Sequence, residues 1–372
     1  MQKKKETVTL FDRVLEFLKA LGHWFRRYYK RILFIILCIF VAWLIFAISV
    51  ALWYQHEHRN DPFVLGVSFS EDYSKSLGLN WKANYLGLLN MGFKNFRLMS
   101  YWNDIEPQPG KYNFSDLDWQ MSEAQKYGAK VSLAIGRRQP RWPECHIPTW
   151  ADSMSESEQN QQVLSFLKVV VNRYKNNPAL QSYQLENEVA NRLFSPYCPK
   201  FNRPFLKQEV ATVKAIDSKH PLILNASNQS GIPLFGPIGD EVGFSIYRKV
   251  YAIFGPIHTY FSYSFVPTLW DSYRAGVIQL LFHKPVFTHE LQAEPWGPVS
   301  TVDLTSAQQA QSMTAKGIED NVQYSYQAGL HTMYLWGGEW WYWRMTKFHD
   351  PSDWNMVKTL LKEGPYPKKI LN

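Results

Sequence analysis

Eight short apolar runs recur along the chain with amphipathic stretches between them, and that alternation limits the fold more than any other feature. The runs are FVLGVSF (63–69), NFRLMSYW (95–102), KVSLAIG (130–136), LQSYQLENE (180–188), PLILNAS (221–227), VGFSIY (242–247), PVFTHELQ (285–292) and HTMYLWG (331–337). Their length and β-branched content read as buried strands. The segments between them carry helix boundaries: SDLDWQMSEAQKYG starts on a Ser/Asp cap and stops at Gly128, and a second helical stretch runs from Thr305 to Gly329. Capped helices between buried strands imply parallel pairing. Eight such units predict a (β/α)8 TIM barrel over residues 63–372, with functional side chains at the C-terminal ends of its strands. The short gap between the fifth and sixth strands fits this pattern least well. An open doubly wound sheet is the fallback, but no GxGxxG or GxxxxGK[ST] pattern marks a nucleotide site.

Before the first strand lies ILFIILCIFVAWLIFAISVALW, residues 32–53, an uncharged run of 22 residues. As a helix it is long enough to cross a hydrocarbon core of about 30 Å. A signal peptide has a shorter apolar region, and no small-residue cleavage site follows before Tyr54. Residues 32–53 are therefore expected to form an uncleaved transmembrane helix. The preceding segment, 1–31, holds nine basic and three acidic residues, which leaves +6 of the chain's +8. The positive-inside rule places this segment in the cytoplasm, and everything after a polar linker at 54–62 outside it, in a single-pass cell-membrane protein. Phe11, Val14, Leu15, Leu18, Leu21 and Phe25 fall at helical spacing, so residues 9–29 could lie along an anionic leaflet. The basic charge thus reports topology and gives no support to nucleic-acid binding.

Of three cysteines, Cys38 is in the apolar run, which leaves Cys145 and Cys198 as the only pair in the exported part. An oxidising compartment allows them to bridge, and two free thiols remain the alternative. No His, Cys and carboxylate set has metal spacing: His56 and His58 lack partners, as does Cys145-His146. Neither metal nor cofactor is expected.

On the barrel reading, one set of side chains converges at the strand ends. Arg97 is on the second strand, Asn187 and Glu188 end the fourth, Tyr247 the sixth, Glu290 the seventh and Trp336 the eighth. Two carboxyl groups facing each other across a cleft suit glycosidic hydrolysis, where one protonates the leaving oxygen and the other meets the developing oxocarbenium ion. Burial and a neighbouring ionised Glu290 would keep Glu188 neutral, as a general acid requires. Glu294 competes with Glu290 because both share strand parity, but Glu294 precedes Pro295 and falls in the loop. Glu186 shares parity with Glu188 and is expected one layer deeper, as a supporting residue.

The strand-four Asn-Glu, the strand-seven Thr-x-Glu and the strand-eight Trp resemble the signature of the clan A glycoside hydrolases, the family-5 cellulase-like retaining β-glycosidases and their relatives. FRLMSYWNDIEPQPGKYNFSDLDW, residues 96–119, also resembles the strand-two region of that group. This resemblance extends from about Gly66 to Trp343 and implies acid/base work for Glu188 and nucleophilic attack by Glu290. It further implies that Asn187 binds the sugar 2-hydroxyl, Arg97 holds the nucleophile ionised, Tyr247 donates to it and Trp336 floors the −1 subsite. Many members carry His at the end of strand three, where this chain has Gly136-Arg137-Arg138.

The expected function is hydrolysis of β-linked oligo- or polysaccharides by double displacement. A catalytically silent glycan-binding barrel and a transglycosylase using the same residues are the alternatives. The loop GRRQPRWPECHIPTW should wall the cleft, its Arg137, Arg138 and Arg141 either paired with Glu144 or Asp152 or available to an acidic sugar. In WGGEWWYW, Trp340, Trp341 and Trp343 are either sugar-stacking plates or core.

Overall fold

A computed structural model describes residues 10–191, 198–228, 231–233 and 238–365. It divides into two compact units, residues 1–50 and 51–372. The first unit is the greater part of helix α1 (Leu10–His58). The apolar surface of that part is bare: Leu33, Phe34, Ile39 and Ile45 are each more than half exposed. The stretch Arg26–His58 contains 18 residues with a mean hydropathy of 3.1 and is long and apolar enough to cross a membrane. The side chains of Phe11, Leu21 and Phe25, which carry much of the amphipathic reading, lie outside the described residues.

The second unit is an eight-stranded parallel barrel, as the alternating runs predict. In chain order its strands are β1 (Val64–Ser68), β2 (Asn95–Met99), β3 (Lys130–Ile135), β4 (Leu180–Leu185), β5 (Leu222–Ala226) and β6 (Glu241–Ile246). After the hairpin β7 (Lys249–Phe254) and β8 (Ile257–Ser262), the barrel closes through β9 (Val286–Gln292) and β10 (Thr332–Trp336). Neighbours run β1-β10-β9-β6-β5-β4-β3-β2, with β1 pairing β2 to complete the ring. β9 and β10 are thus the seventh and eighth barrel strands.

The outer helices are α2 (Glu71–Ser76), α3 (Trp81–Met91), α4 (Trp102–Ile105), α5 (Ser115–Lys126), α6 (Glu156–Tyr174), α7 (Arg203–Ile216) and α8 (Thr268–Phe282). They continue as α9 (Ser306–Ser312), α10 (Ala315–Gln327), α11 (Gly338–Lys347) and α12 (Ser352–Glu363). α6 shows the local logic. Ser155 and Glu158 form a reciprocal capping box, and Val163, Phe166, Leu167, Val170 and Val171 form the buried face. Burying each such side chain contributes about 1.5–3 kcal/mol.

Four local features differ from the sequence reading. The stretch read as one helix from Thr305 to Gly329 is two, because Thr314 leaves helical geometry and caps α10 through Gly317 N. The cap of α5 is Phe114 and not Ser115, whose backbone N–H bonds back to Asn113 Oδ1. The β7–β8 hairpin is an insertion between β6 and β9 that pairs only with itself, and its Ile253 and Ile257 are exposed. Finally, the polar stretch 54–62 is not simply a linker. Its first residues continue α1, with the Tyr54 ring buried and its hydroxyl 3.4 Å from Val286 O, while Gln55 and His58 bond to Ser272 and Gln279 of α8. Between β5 and β6 no α-helix lies among the described residues, in keeping with the short gap.

Candidate active site

Arg97 stands at the centre of the C-terminal mouth of the barrel. It is fully buried on β2, and its guanidinium makes three side-chain bonds besides a longer one, 3.4 Å, to His289 O. Nε donates to Gln184 Oε1 at 2.6 Å, one terminal nitrogen to Glu290 Oε2 at 2.5 Å, and the other to Asn187 Oδ1 at 2.9 Å. A buried guanidinium needs partners of this kind, and its planar fork fixes their positions. Glu290, on β9, takes a second bond from the Tyr247 hydroxyl at 2.6 Å, so each carboxylate oxygen has a donor. Burial and the adjacent Glu290 push the Tyr247 phenol well above its usual range, which keeps it a donor.

Asn187 Oδ1 also accepts from Gln184 Nε2 at 3.1 Å and Asn225 Nδ2 at 3.2 Å. Three donors on one oxygen settle the amide orientation and turn Nδ2 outward as a donor, with Glu144 Oε1 at 3.4 Å. Glu188 follows directly. Its Oε2 accepts from Asn191 Nδ2 at 2.7 Å, and the Asn191 backbone N–H bonds to Glu188 O at 2.7 Å. Burial first, and then the Glu290 charge, raise the Glu188 carboxyl above the ordinary range.

The backbone produces this layout by breaking the strand. β4 ends at Leu185, and both Glu186 and Glu188 have left-handed φ, at 53° and 42°. Such conformations in residues other than Gly, Asn or Asp are strained and collect at functional sites. They also void the parity argument for Glu186. Instead of lying one layer deeper, its carboxylate caps the next loop and accepts from Arg137 N and Arg138 N, each at 2.7 Å. Only glycine fits at position 136, since φ is 105° and an added Cβ would sit 2.3 Å from Glu186 Oε1. The chain therefore uses this corner to seat a carboxylate.

The loop beyond, Gln139 to Cys145, folds on itself through Gln139 N to Glu144 O and Glu144 N to Arg141 O, each 2.7 Å. Cys145 is joined to Cys198 by a disulfide with a Cα separation of 5.6 Å. Arg138 pairs with Glu144 at 2.7 Å, as one sequence alternative holds. Arg137 bonds to Gln159 and Asn160. Arg141 pairs with neither Glu144 nor Asp152. Its guanidinium forks onto Glu294, reaches Glu339 at 3.1 Å, and lies 4.0 Å from the centre of the Trp336 ring. Glu290 and Glu294 are thus both at the mouth, each with its own arginine. Trp340, Trp341 and Trp343 are buried in the core and present no plates to the cleft.

Sequence reasoning passed over Glu144 as a site residue. It lies close enough to Glu188 and Glu290 to feel both charges, and burial raises its carboxyl to about 8. Nothing in PECH marks such a role. Glu339 had a visible signal, an acid inside an otherwise aromatic run, and it is fully buried. Glu71, Asp72 and Asp104 bring carboxylates close enough to hold a metal ion, but Lys75 and Gln120 already engage the group.

Residues 79–220 match the family described as Glyco_hydro_42, Beta-galactosidase. Mannan endo-1,4-beta-mannosidase 1 of Oryza sativa subsp. japonica is 29% identical over 213 residues, which is 48% of this chain and 47% of that enzyme's length. The chain is a clan A-like (β/α)8 barrel related to β-galactosidases and β-mannosidases. GH5_18 from Streptomyces cattleya, solved in complex with GlcNAc, shares its fold at a TM-score of 0.55 and 11% identity, covering 82% of each chain. Exo-beta-1,4-mannosidase Op5Man5 from Opitutaceae bacterium strain TAV5 does so at 0.53 and 15% identity, covering 74% of this clan A-like barrel's chain and 51% of its own. The family match takes in Arg97, Asn187 and Glu188 and stops before Glu290.

Proposed function

We propose that this clan A-like barrel is a retaining glycoside hydrolase that cleaves β-linked sugar chains, with Glu188 as general acid/base and Glu290 as nucleophile. The observation that carries the reading is the difference between the two carboxyls. Glu290 is held by Arg97 and Tyr247, two donors that leave it acceptor-only, while Glu188 is buried beside it and pushed toward the protonated form.

In the first step Glu290 attacks the anomeric carbon as Glu188 gives its proton to the leaving oxygen, and a covalent glycosyl ester forms. Glu188 then takes a proton from water, which attacks the same carbon and releases Glu290. The outward Asn187 Nδ2 is oriented to donate to the sugar 2-hydroxyl. Transfer to a sugar instead of water would use the same residues. The apolar helix is proposed to anchor the barrel at a cell membrane, with the basic tail on the cytoplasmic side.

The test is hydrolysis by the full-length protein in detergent of aryl β-mannoside, β-galactoside and β-glucoside and of the β-1,4-linked manno- and galacto-tetrasaccharides. Glu188→Gln is expected to lower kcat by about 10²–10⁴-fold on the tetrasaccharides. Glu290→Gln should remove turnover. Binding without cleavage across the panel would instead favour a silent glycan-binding barrel.

A further inference from the structure

We infer that Arg141 bars one end of the site, so that the protein acts only at the non-reducing end of a sugar chain and releases single sugars. The inference rests on the hydrolase reading above and adds the mode of attack to it.

The guanidinium of Arg141 is stacked between two rings, 3.6 Å from the centre of Tyr73 and 4.0 Å from that of Trp336. Its terminal nitrogens are held by Glu294 and Glu339, and Glu339 is itself fixed by Ser70 N at 2.5 Å. The groups involved come from Ser70 and α2 after β1, the loop after β3, the segment after β9, and the end of β10 with α11, so they cross the mouth of the barrel. The loop that carries Arg141 is built to stay in place. It is closed on itself between Gln139 and Glu144, and Gln139 bonds to both the N–H and the C=O of Ser100, at 2.8 and 2.6 Å. The disulfide anchors its far end.

The side of the site on which this bar falls decides its effect. Glu188 bonds to Asn191 and lies beside Ser245, toward β4 to β6, and the inference assigns the leaving part of the substrate to that side. Arg141, Tyr73, Glu294 and Glu339 lie on the other side, around Trp336, where the retained sugar rests. A chain extending past that sugar would have to displace a stacked and doubly paired guanidinium. One detail suggests what is bound there. Arg141 Nε is buried with no hydrogen-bond partner among the described residues, and a buried N–H without one calls for an acceptor. A hydroxyl oxygen at the chain end supplies it.

The experiment uses the full-length protein and the two tetrasaccharides above, labelled at the reducing end, each either free or capped with a bulky acetal at the non-reducing end. The free chains should shorten one sugar at a time, with monosaccharide as the sole early product, and the capped chains should react roughly a hundredfold more slowly. Arg141→Ala, and Tyr73→Ala as a variant that keeps both ion pairs, should release di- and trisaccharide early. Equal rates on capped and free chains, or early di- or trisaccharide from the unmodified protein, would overturn the inference and leave the hydrolase reading standing. No cleavage of either form would remove that reading and the inference together.

Discussion

At the level of single residues, the site depends on how three carboxyls share few protons. Glu188 and Glu144 are both raised, Glu144 to about 8, and each is buried within reach of the Glu290 charge. An acid with a raised pKa is present below that pKa and lost as pH rises through it, so loss of the Glu188 proton forms the alkaline limb of kcat/KM. The charge of ionised Glu188 is one of the causes that keep Glu144 protonated. Glu188→Gln removes that charge, and the Glu144 carboxyl, followed by carboxyl NMR, should titrate at lower pH, by about half a unit or more. An unmoved Glu144 titration would show that the two carboxyls do not interact. Glu144 was hidden in the sequence because its place depends on a left-handed turn, with φ of 62°, and on a neighbouring loop, neither of which has a local pattern.

At the level of elements, the eight strands were legible because each is a short apolar run between polar boundaries, and burial on both faces leaves few other solutions. Arg97 and Glu290 were legible for the same reason, since each lies on a recognisable strand, and Asn187, Glu188 and Tyr247 could be found because each follows a strand by three residues or fewer. Geometry beyond the last strand residue was not legible. Parity could place Glu186 only if the chain stayed extended, and the chain turns left-handed there. The wall between β3 and β4 shows the other limit. Its prolines, tryptophan and cysteine marked a built loop, while the partners of Arg141 come from elements far along the chain. The Cys145–Cys198 bridge closes a separation of 53 residues, and such links typically contribute about 2–4 kcal/mol. Cys145→Ser should therefore lower the denaturation midpoint of the full-length protein clearly. An unchanged midpoint would mean that the loop is held by its hydrogen bonds alone.

At the level of the whole molecule, composition and hydropathy separate two parts that the structure also separates, an apolar helix with a basic leading segment and a barrel rich in aromatic core. The continuation of α1 through Tyr54 into contacts with α8 and β9 was masked by the polar run YQHEHRND, which is polar on one face and packs on the other. The anchoring proposal predicts that protease added to intact cells digests the barrel and spares a tag placed before Met1. Protection of the barrel would reverse the orientation.

The central claim is a covalent step at Glu290, and it can be read directly. The full-length protein is incubated with a 2-deoxy-2-fluoro β-glycoside bearing a good leaving group, of whichever sugar is hydrolysed, and its peptides are mapped by mass spectrometry. A sugar ester on Glu290 is the predicted result. An ester on Glu294, or continued hydrolysis with no adduct on any residue, would contradict the account.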